Sequence, residues 1–189
     1  MKIPLTSVAI VGAVLAWFGY SSLGPGRFDQ SIVPDTAAAS PVQSSLTQLR
    51  QQGSTDSRVN AARFIASNAT DVTPDLVHEL GQPLLKDRDV AIRKEVAAAM
   101  RQLAARHCQS ELRPEQFEPQ MLDILLTAYN RENEPSVRVS IVQAAGQLNH
   151  PDALQILDKA AEDTSPAVRE AATKARSDRD RRLLTARTG

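Results

Sequence analysis

Glu134-Pro135-Ser136-Val137-Arg138 is one of four stretches of this 189-residue chain that share a layout. A residue suited to capping a helix stands three positions before a β-branched anchor, and in three copies an arginine follows that anchor. The other copies are Asp56-Ser57-Arg58-Val59-Asn60, Asp89-Val90-Ala91-Ile92-Arg93 and Ser165-Pro166-Ala167-Val168-Arg169, and an alanine lies seven positions after each anchor (Ala66, Ala99, Ala144 and Ala175). Anchor spacings of 33, 45 and 31 residues predict stacked helical units.

Each of these stretches has the features of a helix start. Pro135 and Pro166 fall at the first helical position, where the missing N–H costs nothing. Apolar residues then recur at helical spacing, as at Ile92, Val96 and Met100. The pattern predicts a first helix for each unit, with small alanines where paired helices approach closely.

A second helix is predicted after each turn, over residues 74–85, 119–130 and 152–162. Each begins at or beside a proline. Pro83 lies late in the first of them and predicts a kink or an end there. The 45-residue unit is explained by a first helix that continues to about Arg106, followed by a longer connection.

The amino-terminal residues 3–23 contain no charged side chain and would span about 31 Å as a helix, which is enough to cross a bilayer. The predicted anchor residues are Ile3, Leu5, Val8, Ile10, Val11, Val14, Leu15, Trp17, Phe18 and Tyr20. An uncleaved signal-anchor, a cleaved signal peptide and a buried core helix are the three interpretations. We expect a single-pass membrane protein with its repeats on the non-cytoplasmic side, or a secreted or periplasmic protein if the segment is cleaved.

The predicted organisation has four parts. Residues 1–23 form the signal-anchor or signal peptide, 24–45 a linker rich in Pro, Gly and Ser, 46–184 the helical-repeat domain, and 185–189 a tail.

Charge limits the classes of partner. Lys and Arg balance Asp and Glu at 22 each, so the chain is no polycation and nucleic acid is not expected as a partner. Residues 28–173 contain 14 basic and 20 acidic side chains, whereas residues 174–189 contain 6 and 2. The basic end fits either a patch for an acidic partner, RNA or lipid headgroups, or the solvated outer face of a terminal helix.

The sequence offers little reactive chemistry. No pair among His78, His107, His150 and the single cysteine, Cys108, has metal-ligand spacing. Adjacent residues on a helix point about 100° apart, so His107 and Cys108 cannot form a nucleophile–base pair directly. Glycine-rich phosphate loops and nucleophile elbows are absent from the sequence. We expect no metal, no cofactor and no enzymatic activity.

Residues 144–154 (AAGQLNHPDAL), continued by residues 162–169 (EDTSPAVR), resemble a HEAT repeat, and more narrowly the short variant named for phycobilin lyases. The resemblance covers about residues 54–182 and implies an all-α fold, a short α-solenoid of three to four helix pairs. The first copy departs from it, with Asn60 in place of the arginine and Arg63 at an apolar slot. Such a departure suits a terminal unit, which a helix over residues 44–52 would cap.

The same resemblance implies that the second helices line a concave face that docks a protein. The residues predicted there are Asp75, His78, Glu79, Gln82, Glu118, Asp123, Gln155, Asp158, Lys159 and Glu162. We therefore expect a membrane-tethered, non-catalytic adaptor, or an accessory subunit of a membrane complex. A phycobilin-lyase-like activity, implied by the resemblance alone, and an envelope assembly factor are the alternatives.

Overall fold

The computed structural model describes residues 40–107 and 116–188, and every regular element in these ranges is an α-helix. The helices are α1 (Pro41–Arg50), α2 (Thr55–Asn68), α3 (Pro74–Lys86), α4 (Val90–His107), α5 (Glu118–Arg131), α6 (Pro135–Ala145), α7 (Ala153–Ala161) and α8 (Pro166–Thr188).

The helices pack as four successive pairs, α1–α2, α3–α4, α5–α6 and α7–α8. Each helix also contacts the next helix but one, so that α2, α4, α6 and α8 form one layer, the even layer. The odd layer consists of α1, α3, α5 and α7. The prediction of an all-α array of helix pairs is confirmed for the described residues.

One continuous apolar core runs between the layers from the first pair to the last. Its largest fully buried side chains come from both layers: Leu46, Leu49, Ile65, Leu80, Ile92, Met100, Leu103, Met121, Leu125, Ile141, Leu148 and Ile156. Because each pair buries its apolar faces against its neighbours, no pair closes a core alone.

Local sequence explains where several helices begin. Ser40, Ser54 and Thr73 each accept a hydrogen bond from the backbone N–H three residues on, which caps α1, α2 and α3. Prolines stand at the first position of α1, α3 and α6. Pro83 does not end α3, which continues to Lys86; its ring is buried, and only three residues follow it.

Two predicted boundaries differ from the structure. The helix predicted over 44–52 exists as α1, but it begins at Pro41, so the last five residues of the predicted linker are helical. Pro41 at the first position and Ser40 as the cap were the signals for this start. The predicted tail is helical over residues 185–188, because α8 continues to Thr188.

The first copy of the repeat lies two residues earlier than predicted. In three helices the arginine N–H donates to the carbonyl of the capping residue four positions before it: Arg93 to Asp89, Arg138 to Glu134, and Arg169 to Ser165. In α2 the same bond joins Arg58 to Ser54. The equivalent arginine is therefore Arg58, 35 residues before Arg93, and Asn60 is no substitute for it. The β-branched Val59, which is only half-buried, caused the error.

Small residues hold successive even-layer helices close together. Ala99, Ala144 and Ala175 are buried, and a Cβ added to Gly146 would lie 2.7 Å from the Cβ of Ala175. In the corrected register the residue of α2 that is equivalent to these three alanines is Phe64, which is 39% exposed. No even-layer helix precedes α2 among the described residues, so a large side chain meets no neighbour there.

The described helices include none that is both long and apolar enough to cross a membrane. The predicted anchor, from Ile3 to Tyr20, lies outside the described residues, as do most of the predicted linker and Cys108.

Gly146 provides a test of this close approach. Its backbone is ordinary right-handed helix (φ −63°, ψ −17°), so the constraint on a side chain is space and not conformation. We expect Gly146→Ala to lower the free energy of unfolding by about 1–3 kcal/mol, because the added methyl must displace the backbone of α8. Urea denaturation followed by circular dichroism measures the change.

Gly53→Ala is the matched control, because a Cβ at Gly53 has no neighbour within 4 Å. It should leave stability unchanged or raise it slightly. Equal stability of the two variants would contradict the proposed tight contact between α6 and α8.

Candidate functional site

A ladder of arginine–carboxylate pairs links successive units along the even layer. Arg93 at the start of α4 binds Glu132 at the end of α5 through two hydrogen bonds, of 2.7 and 2.9 Å. Arg138 in α6 binds Asp163 in the same two-pronged way, with both distances 2.9 Å. Arg58 in α2 pairs with Asp87. Each arginine therefore binds the acid that lies just before the next helix of the even layer.

The guanidinium groups of Arg93 and Arg138 also bind backbone carbonyls of the loop before their own helix, whereas Arg58 Nε donates to the Leu49 carbonyl of α1 at 2.8 Å. Arg93 Nη1 donates to the carbonyls of Asp87 and Arg88, each at 3.0 Å. Arg138 donates to the carbonyls of Glu132 and Asn133 in the same manner. One side chain thus satisfies two loop carbonyls and pairs with the following unit.

Each acid of the ladder also accepts a hydrogen bond from a backbone N–H of its own loop. Asp87, Glu132 and Asp163 each accept a hydrogen bond from the backbone N–H two residues on, at 2.8–2.9 Å. Arg169 of α8 binds the carbonyls of Asp163 and Thr164, and it forms no ion pair among the described residues. The ladder therefore ends at the last pair, and its paired charges serve the fold.

Tyr129 strengthens the last rung. Its hydroxyl donates to Asp163 Oδ2 at 2.7 Å, and burial, together with this bond, raises the pKa of the phenol. Burial alone would raise the pKa of Asp163, but the hydrogen bonds from Arg138 and Tyr129 outweigh it and lower that pKa to about 2.

The structure places the predicted docking residues on the odd layer, and most of them face solvent. Asp75 and His78 of α3, Asp123 of α5, and Gln155, Asp158, Lys159 and Glu162 at α7 are exposed, whereas Glu79 and Gln82 are half-buried. Several have neighbours: Gln82 contacts His78 at 3.1 Å, Lys159 bonds Asn130 at 3.1 Å, and Asp158 pairs with Arg176.

Glu118 is the exception within that set. It is 4% exposed and accepts a hydrogen bond from the Asn149 N–H at 2.9 Å. Its carboxylate holds the α6–α7 turn against the start of α5 and does not reach the surface. Its position beside a proline at a helix start gave no sign of this contact with the next unit.

Even-layer helices contact one another more extensively than odd-layer helices do. The assignment of the second helices to a concave face, and contact of the odd-layer residues with a partner, stay predictions.

The solvent side of the even layer carries a groove that runs over α6 between α4 and α8. Its volume is about 220 Å³, and it is lined by Arg101, Gln143, Gln147, Ala171, Lys174, Ala175 and Asp178. We call it the α6 groove. Arg101, Gln143 and Gln147 belong to no site predicted from the sequence, and Lys174 belongs to its basic carboxyl-terminal segment. Two of them recur at one position of the repeat, because Gln143 and Lys174 each stand five residues after the arginine at the start of their helix, Arg138 and Arg169.

The basic carboxyl-terminal helix uses much of its charge internally. Arg179 is 5% exposed and donates to the carbonyls of Leu148, Asn149 and His150, each at 3.2 Å. Arg182 bonds the Gly146 carbonyl. Arg106, at the end of α4, caps the end of α2 in the same way by bonding the Ala66 and Ser67 carbonyls. These arginines satisfy helix and turn carbonyls, a role that the two sequence interpretations did not include.

No group of three or more His, Cys, Asp or Glu side chains in the described ranges could hold a metal ion.

The ladder predicts a strong difference between two arginines. Arg93 and Arg63 both form two-pronged pairs with a glutamate, but the side chain of Arg93 is 16% exposed and that of Arg63 is 62% exposed. We expect Arg93→Ala to cost about 3 kcal/mol of unfolding free energy, because Glu132 and two carbonyls lose their donors. Arg63→Ala should leave stability nearly unchanged, since solvent screens the exposed pair. Equal losses in urea denaturation would refute a structural role for the ladder.

The lowered pKa of Asp163 predicts a pH dependence. The folded protein binds this proton more weakly than the unfolded chain, whose aspartate has the ordinary pKa of 3.8. The stabilisation is therefore complete above about pH 4 and is lost as the pH falls toward 2. Asp163→Asn removes the titrating group. The stability difference between wild type and variant should shrink by about 2 kcal/mol from pH 6 to pH 2; a constant difference would contradict the assignment.

Comparison with known proteins identifies a repeat family over part of the chain. A family model described as HEAT repeats matches residues 122–181, which cover α6, α7 and parts of α5 and α8. No curated protein and no solved structure matches the chain. The matched residues include the ladder rung between Arg138 and Asp163, and the similarity supports the predicted repeat type over this part of the chain.

Proposed function

We propose that this protein is a non-catalytic scaffold whose helical array docks another protein, and that its apolar amino-terminal segment holds it at a membrane. The main support is the division of its charges. The ladder and the carbonyl-capping arginines are engaged within the fold, while a separate set of polar side chains faces solvent on both layers. HEAT repeats, which residues 122–181 match, commonly mediate protein–protein interaction.

The array offers a partner two polar faces, and the even layer is the better candidate. Its helices contact one another more extensively than those of the odd layer, so that one partner segment could contact α4, α6 and α8 together. Simultaneous contact with three rigid helices lets a small array bind with a well-defined orientation. The proposed membrane tether rests on the uncharged residues 3–23. The proposed membership of a larger membrane complex rests on the short length of the array.

Partner recovery tests the docking function. The full chain, tagged at its carboxyl terminus and solubilised in a mild detergent, should co-purify with a second protein in a fixed ratio. That ratio should persist through size-exclusion chromatography, because a docked subunit stays bound at micromolar concentrations or below. Repeated recovery as a lone monomer from its native membranes would argue against a scaffold.

The membrane tether has its own readout. We expect the protein to stay in the membrane pellet after alkaline carbonate washing, and its intact mass to equal that of the full 189-residue chain. Release into the wash with a mass lower by about the first two dozen residues would indicate a cleaved signal peptide and would refute the tether. Docking of a partner would be unaffected by that outcome.

A further inference from the structure

The α6 groove, defined above by its seven lining residues, differs from the other even-layer surfaces in the chemistry of its walls. Arg101 of α4 and Lys174 of α8 stand on either side of α6. Helix α6, which lies between these two side chains, has the sequence PSVRVSIVQAA. It contains no acidic residue and one cation, the ladder residue Arg138. The groove thus has a cation on each wall, with Asp178 beside Lys174 on the α8 wall, and an amide floor.

The hydrogen-bonding groups of the groove are chiefly donors. Arg101 Nη1 donates to Gln143 Oε1 at 3.0 Å, which occupies the amide oxygen and leaves the Gln143 NH₂ as a donor. Lys174 has no carboxylate within ion-pair distance among the described side chains. Asp178 is the one acid that lines the groove, and it pairs with Arg181 at 3.4 Å. Side chains from α4, α6 and α8 therefore present unmatched donors to one space.

Small residues determine how closely a ligand can approach these donors. Ala171 and Ala175 line the groove beside Lys174 and have no side chain beyond Cβ. A bound chain could therefore come near the helix surface and place a side-chain carboxylate between Arg101 and Lys174. A carboxylate there would accept two charge-assisted hydrogen bonds and further bonds from the glutamine amides.

We propose that the α6 groove binds carboxylate side chains of a short acidic segment of the partner protein. The proposal rests on the docking function proposed above and names the chemistry of the docked segment. Charge further along the chain argues against a long polyanion as the occupant. Residues 28–173 carry six more acidic than basic side chains, which would repel an extended nucleic acid while a short acidic segment meets the local cations.

The test uses the full chain in a non-ionic detergent and a fluorescein-labelled octaglutamate peptide as the probe. Fluorescence anisotropy should show saturable binding at low salt that weakens as salt is added. Octaglutamine, the uncharged probe, should not bind. Arg101→Glu/Lys174→Glu should weaken octaglutamate binding by about tenfold or more, because it places two like charges beside the ligand.

Lys86→Glu/Arg131→Glu is the matched control. It changes the net charge by the same amount at two exposed positions of the odd layer, and it should bind octaglutamate as wild type does. Thermal unfolding by circular dichroism checks that both variants are folded. Arg101→Gln/Lys174→Gln, which adds no repulsion, provides a second measure and should also weaken binding.

Three outcomes would overturn the proposal: no octaglutamate binding by wild type, equal binding by the groove and control variants, or equally tight binding of single-stranded oligothymidylate of the same length. The last would identify a general anion surface. Docking itself is judged separately by partner recovery. A partner that co-purifies equally with wild type and with Arg101→Glu/Lys174→Glu would refute the groove and leave the scaffold function standing.

Discussion

The arginine fork at the starts of α4 and α6 is the interaction on which the array depends. Apolar contacts between helices are not directional, and a core of Leu, Ile and Ala would tolerate one helix sliding along another. Arg93 and Arg138 remove that freedom, because each binds two carbonyls of its own loop and the carboxylate of the following unit. The ladder fixes the register in which the buried faces meet, and the core then supplies most of the stabilisation.

Close packing beside the ladder shapes the rest of the molecule. At Gly146 and Ala175 the α6 and α8 backbones approach too closely for even one more methyl group. Even-layer helices accordingly contact one another more extensively than odd-layer helices do. The α6 groove lies on this closely packed layer, where Ala171 and Ala175 line it beside Lys174.

Much of the fold could be predicted from the sequence, because helix starts and apolar spacing are local signals. Capping residues, first-position prolines and the 3.6-residue period placed the later helices to within a few residues. The predicted register of the first unit was wrong because the Ser54 cap and Arg58 were less conspicuous than Val59. A register shifted by two residues still contains an acid, an aliphatic residue and an alanine at the spacing of the other copies. Backbone hydrogen bonds distinguish the two registers, whereas composition does not.

The surface was harder to predict than the fold, since it depends on contacts between units. Glu118 looks like any acid in the first turn of a helix, yet it is buried by the turn of the next unit, at Asn149. Arg179 looks like one of several cations on a solvated helix, yet it binds three carbonyls. In both cases the side chain is used by a segment about 30 residues away, and no local pattern carries that information.

The charged side chains that hold the fold together are different from those that stay exposed at the surface. The ladder charges are held by two or more strong bonds each, so a ligand that recruited them would have to break the contacts that align the units. Exposed side chains such as Lys174 and Asp123 carry no such cost, and their removal leaves the array intact. The charges that align the array and the polar groups left for a ligand are therefore different residues. Gln143 and Lys174, which line the α6 groove, each stand five residues after the arginine at the start of their helix.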